Sequence, residues 1–203
     1  MASRAGGVDK QLLGWIYLFR AQMELSELRY GEAIAQSRKA SALGGTQDKD
    51  FSVQVAYTQC LSQLNTGMLR AGIAQCQQAF DTATRAGNPR LIASAQLALS
   101  EALLASGDAA NALPMALTAQ QTFARLGSRH SEWRAWLIGA QASRRQPEPA
   151  KVDEYATHAA GLLTALEKTL GADEYNSYLS RPDVRRDQKE LDELLPGANN
   201  RNP

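Results

Sequence analysis

The side chains with the most reactive chemistry in this chain of 203 residues are two histidines, His130 and His158, and two cysteines, Cys60 and Cys76. An imidazole beside a thiol, or between a serine and a carboxylate, would serve nucleophilic catalysis. Histidine and cysteine at close spacing would hold zinc. Neither spacing occurs. The cysteines stand sixteen apart, with no C-x-x-C and no histidine nearby, each inside an apolar helical pattern. They are expected as free core cysteines acting as small hydrophobes, with no disulfide framework and no metal. His130 falls at a turn and His158 inside a helical stretch. There is no G-x-G-x-x-G, no P-loop, no H-E-x-x-H and no G-x-S-x-G. The chain is therefore expected not to be an enzyme and to need no cofactor. A dispersed site joining His130 or His158 to a carboxylate is kept as the third functional alternative.

The charge balance is close to neutral, with 22 basic and 21 acidic residues and a net charge of +1. Such a balance leaves no footprint for nucleic acid or anionic lipid. Arg144 with Arg145, and Arg185 with Arg186, form two short basic groups, the second interleaved with Asp183 and Asp187. Both are expected as solvated helix faces. No apolar run is long enough to span a membrane. The opening "MASRAGGVDK" lacks a signal-peptide core and reads as a flexible lead-in over residues 1–10. The absence of a signal favours the cytoplasm.

What must position any functional side chain is a series of helices. Apolar residues recur three and four apart almost throughout, and strict alternation is absent. The pattern predicts helices at 10–28, 31–43, 50–65, 69–86, 90–106, 109–126, 130–145 and 150–170. The breaks carry turn chemistry: "LGGTQD", "NTG", "AGNPR", "SGD", "LGSRHS" and "QPEP". Asp108 is expected to cap the helix that follows it. Pro114 should bend that helix or delay its start. Short connections make successive helices antiparallel.

The pattern also repeats. A small residue followed by an aliphatic opens each second helix: Ala33 with Ile34, Gly72 with Ile73, Ala112 with Leu113. Gly72 follows Ala33 at an interval of thirty-nine, and Ala112 follows Gly72 at an interval of forty. Seven positions after each comes an alanine, Ala40, Ala79 or Ala119; twelve before stands Ala21, Cys60 or Ser100. Small residues let neighbouring helices approach closely and leave holes for larger side chains. Repeated at that interval, they stack helical hairpins, each against its neighbours.

On these residues, with "YGEAI" at 30–34 and "SGDAANAL" at 106–113, the sequence resembles the tetratricopeptide repeat family, in the longer form of about 40 residues found in bacterial regulators. The resemblance covers residues 11–170. It implies an all-α, right-handed α-solenoid of about four helix-turn-helix hairpins, in which the first helices line a concave groove for peptides or partner helices. Carried over residue by residue, the groove would comprise Trp15, Leu18, Gln22, Leu25, Gln54, Tyr57, Leu61, Asn65, Leu97, Glu101, Leu104, Trp133, Trp136 and Arg144. The basic clamp that some members set on a peptide's terminal carboxylate is not matched. Only Asn65 falls suitably, and Thr58 and Ala98 stand where a basic residue would be needed.

The fourth hairpin departs most, placing Lys151 and His158 where small residues are expected. After Gly171 a short helix at 172–179 and a second one opening at "SRPDV" are expected as a C-terminal cap over 171–195. There Ser180 would cap and Val184, Gln188, Leu191 and Leu195 would form the apolar stripe. Residues 196–203 are expected to be disordered. The function implied is a non-enzymatic interaction module, part of a larger bacterial signalling or scaffold protein, binding a protein or peptide without nucleic acid or membrane insertion. The alternative is a homo-oligomeric assembly protein.

Overall fold

The computed structural model describes residues 2–44, 48–147 and 151–195, with side chains from Lys10 onward. Among the described residues there are ten helices and no strand. They are α1 (Ala2–Ser26), α2 (Tyr30–Leu43), α3 (Lys49–Asn65), α4 (Leu69–Ala86), α5 (Pro89–Ala105), α6 (Ala109–Arg125), α7 (Arg129–Arg144), α8 (Val152–Leu170), α9 (Ala172–Ser180) and α10 (Pro182–Asp192). None is long and apolar enough to cross a membrane. Helix α1 takes in residues expected as a flexible lead-in. The tail at 196–203 lies outside the described residues, as do 45–47 and 148–150 within two of the expected turns.

The chain forms two compact units, residues 1–98 and 99–203. In the first, α1 packs on α2, α2 on α3 and α3 on α4. In the second, α6 packs on α7, α7 on α8, α8 on α9, and α10 returns against α7 and α8. Neighbouring helices thus pack in series, as a helical repeat does.

The small residues are buried, as close helix packing requires. Ala21, Ala33 and Ala40 have no exposed surface, and neither do Cys60, Cys76 and Ala79, nor Ser100, Ala112, Ala116 and Ala119. In the second unit the step of forty continues in phase to Ala140 and Ala159, both fully buried. Lys151 and His158, assigned to small-residue positions in the sequence, sit one place off this register and are exposed.

Two cysteine expectations are overturned. Cys60 and Cys76 are joined in a disulfide, with Cα atoms 5.0 Å apart. Their spacing matches Ala21 with Ser37, Ser100 with Ala116 and Ala140 with Ala156, all buried pairs. In the third pair the same contact is a hydrogen bond, Ser100 Oγ donating to the Ala112 carbonyl at 2.7 Å.

Helix ends follow local chemistry. Asp48 and Asp108 accept from the backbone N–H groups of Phe51 and Asn111 at 3.0 and 3.2 Å. Asn88 accepts from Arg90 N–H at 3.1 Å, ahead of Pro89 at the first helical position. Ser180 does not cap: its hydroxyl donates back to the Ser177 carbonyl, and Arg181 takes the cap position. Pro114 does not delay α6, which starts at Ala109.

Candidate interaction face

The first helices α1, α3, α5 and α7 carry one shared set of positions, each at the repeat interval from the next. Trp15, Gln54, Ser94 and Arg134 occupy one of them; Leu18, Tyr57, Leu97 and Leu137 a second; Gln22, Leu61, Glu101 and Gln141 a third. A fourth holds Leu25, Leu64, Leu104 and Arg144. The residues expected on α1 and α5 are in phase with these sets, and so are those on α3 except Asn65, which stands one place past Leu64. On α7 the phase belongs to Arg134, Leu137 and Gln141, and not to Trp133, which is fully buried in the core.

In the first unit, Leu18 and Leu61 are buried while Trp15, Gln22, Gln54 and Tyr57 are half-buried. Trp15 meets Phe51 edge-on at 5.0 Å. Gln22 Nε2 donates to Gln54 Oε1 at 3.2 Å, so these two amides bond to each other. Exposed Asn65 donates to the Leu61 carbonyl of its own helix at 2.8 Å. An open cleft of about 510 Å³ is lined by Trp15, Asp48, Lys49, Asp50, Gln54 and Ala86. Leu97, on α5, is buried.

In the second unit the face is covered by α10. Val184, Leu191 and Leu194 join Trp133, Leu137, Ala140 and Tyr155 in one apolar cluster. Beside that seam, Arg134 Nε lies 2.8 Å from Asp187 Oδ2, and its Nη1 lies 3.7 Å from Asp183 Oδ2. Both aspartates are buried, and each has a second arginine: Arg181 Nη2 on Asp183 and Arg186 Nη2 on Asp187, both at 2.7 Å. Gln141 Nε2 donates to Glu190 Oε2 at 2.6 Å. Buried carboxylates are tolerated where arginine supplies charge and donors together. Arg186 is thus drawn into pairing, whereas Arg144 is exposed and Arg145 donates to the Leu104 carbonyl at 2.7 Å.

Two titrating groups mark the edge of this seam. Burial pushes the Glu101 carboxyl up to about 7, and Asp187 and Glu190 add to that rise while Arg134 and Arg186 oppose it. Burial, with Arg134 and Arg181 nearby, lowers His130 to about 4. Trp133 Nε1 donates to Tyr178 Oη at 2.7 Å, and Tyr178 lies 2.7 Å from His130 Nδ1. Burial keeps the imidazole neutral, and its Nδ1 shares a hydrogen bond with the Tyr178 hydroxyl. Burial raises Tyr178 to about 12. The Nδ1 bond of His130 thus goes to a phenol, and the exposed His158 stacks on Trp136 at 4.7 Å. No cluster of metal-binding side chains occurs among the described residues.

Arg134, Gln141, Asp183, Asp187 and Glu190 are the members of this site absent from the sequence-based set. The repeat step taken twice from Gln54 reaches Arg134, and taken once from Glu101 it reaches Gln141. Asp183, Asp187 and Glu190 follow 4-3 spacing beside the apolar stripe of α10. Comparison of the chain with protein-family models and with curated proteins gives no match.

Proposed function

We propose that the chain is a non-enzymatic interaction module of the tetratricopeptide kind, a right-handed solenoid of about four hairpins closed by α9 and α10. Its ligand is a peptide or partner helix bound along the first helices, and the setting is a larger bacterial signalling or scaffold protein. The observation that carries this reading is α10 on α7. An amphipathic helix seats an apolar stripe beside Trp133 and Leu137 and sets carboxylates on Arg134, which is how a helix is held in a groove. The chain thus supplies one example of the ligand class: an apolar stripe flanked by acids four apart.

The test is binding in trans. A peptide of residues 180–195 is titrated against the chain ended at Leu170, after circular dichroism has shown that the shortened chain keeps its helices. Saturable binding is expected, at least tenfold weaker with Arg134→Glu and recovered when the peptide carries Asp187→Arg. A helical shortened chain that ignores the peptide, or binds it equally without Arg134, overturns the reading.

A further inference from the structure

Helix α1 carries a second, different face. Leu12, Ile16, Phe19 and Met23 are 60%, 45%, 55% and 66% exposed, with Leu13 beside them at 40%. Their spacing is four, three, four, which puts them in one stripe along about three turns. The in-phase positions elsewhere are covered, apart from the half-buried Leu91 and Ser131 at the start of α5 and α7. On α3 they are Phe51, Val55, Thr58 and Ser62, all buried; Phe51 and Val55 pack with Leu18 and Ala40 of the preceding pair. On α5, Ala95, Ala98 and Ala102 are buried, and on α7 so are Ala135, Ile138 and Ala142. This is the face on which a first helix meets what precedes it.

The side chains differ in kind as well as in exposure. The covered faces are dominated by Ala, Ser and Thr, which set a close helix approach. On α1, Phe19 and Met23 stand where α3 has Thr58 and Ser62, so a hairpin packed as the first is on α3 would collide with them. Large residues at 4-3-4 spacing make the knobs of a two-helix seam, with the holes between them. The helix that presents matching knobs and holes is another α1. Antiparallel about a two-fold axis, Leu12 faces the second copy's Met23 and Ile16 its Phe19, and each contact occurs twice. The five exposed side chains present on the order of 500 Å² of surface. Covered completely in both copies, this surface amounts to at most roughly 1,000 Å², the range of weak, reversible interfaces.

We infer that the α1 stripe is a homodimer interface in which two copies pair antiparallel through Leu12, Ile16, Phe19 and Met23. An interface of this size is reversible, so mass depends on concentration. Sedimentation velocity of the full chain from about 1 to 200 μM is expected to show a monomer passing to a dimer. Phe19→Glu should stay monomeric throughout. These side chains are exposed, so helicity should be unchanged, and Met23→Lys serves as a second variant should the first lose helix. Direction is read by mixing Ile16→Cys chains with Phe19→Cys chains under mild oxidation, where the mixed cross-link should dominate. A mass of one chain at every concentration overturns the inference, as does a dimer that survives in both folded variants.

Discussion

At the scale of single residues, Glu101 and His130 pull stability in opposite directions with pH. Glu101 is raised from 4.5 to about 7, so the folded state holds its proton between those values and stability falls as pH rises through them. His130 is lowered from 6.5 to about 4, so the unfolded state holds the proton there and stability falls as pH drops. The two slopes overlap between pH 4.5 and 6.5 and nearly cancel in the wild type. His130→Asn, whose side-chain amide can still bond the Tyr178 hydroxyl, should expose the Glu101 slope. Glu101→Gln should expose the opposite one. Each should amount to about 2 kcal/mol once partial solvent access is discounted, read as urea midpoints at stepped pH. Parallel profiles for both variants would remove this coupling.

At the scale of elements, the turns are as repetitive as the helices. Gly67, Gly107 and Gly127 each end a helix in left-handed backbone, with φ of 79°, 90° and 65°. In each turn the next residue's N–H reaches back five positions: Met68 to Gln63 at 3.0 Å, Asp108 to Leu103 at 2.9 Å, Ser128 to Phe123 at 2.9 Å. The first turn has the same bond, Arg29 N–H to the Glu24 carbonyl at 2.8 Å, but its left-handed residue is Leu28 at φ 58°. A Cβ in that conformation costs roughly 1–2 kcal/mol. Leu28→Gly should therefore raise the free energy of unfolding by about 1 kcal/mol, measured by thermal or denaturant melts. A fall would mean that the apolar contacts of the half-buried Leu28 side chain outweigh its backbone strain.

At the scale of the whole molecule, the helix contacts within each of the two units run mainly between neighbouring helices, so a local loss should stay local. The disulfide offers a clean perturbation, because the third pair shows what the same positions look like without it. Cys60→Ser with Cys76→Ala copies Ser100 and Ala116, side chains already accommodated at an equivalent close approach. Opening a loop of this length should cost about 3 kcal/mol. Amide exchange should rise in α3 and α4 while α7 and α8 keep their protection. Equal loss across both units would show a single cooperative body.

Most of the helical architecture was legible in the sequence, because helical periodicity, turn glycines and capping aspartates are local signals. The repeat interval of the small residues was legible for the same reason: it recurs in linear order. On α7, Trp133, Leu137 and Ala140 follow core spacing and are buried, so Trp133 fills the core where the repeat resemblance would place it in the groove. Three features were decided only by the tertiary structure. At their separation in the chain, Cys60 and Cys76 read as two core thiols until the helices of one pair bring their Cα atoms within 5.0 Å. Asp183 and Asp187 read as a solvated charge run until α10 folds back and Arg134 makes their burial tolerable. Leu12, Ile16, Phe19 and Met23 have the spacing of a core stripe, and only packing reveals that nothing in the described chain covers them. Periodicity tells a helix which face is apolar. What meets that face depends on residues distant in sequence, and no local signal carries it.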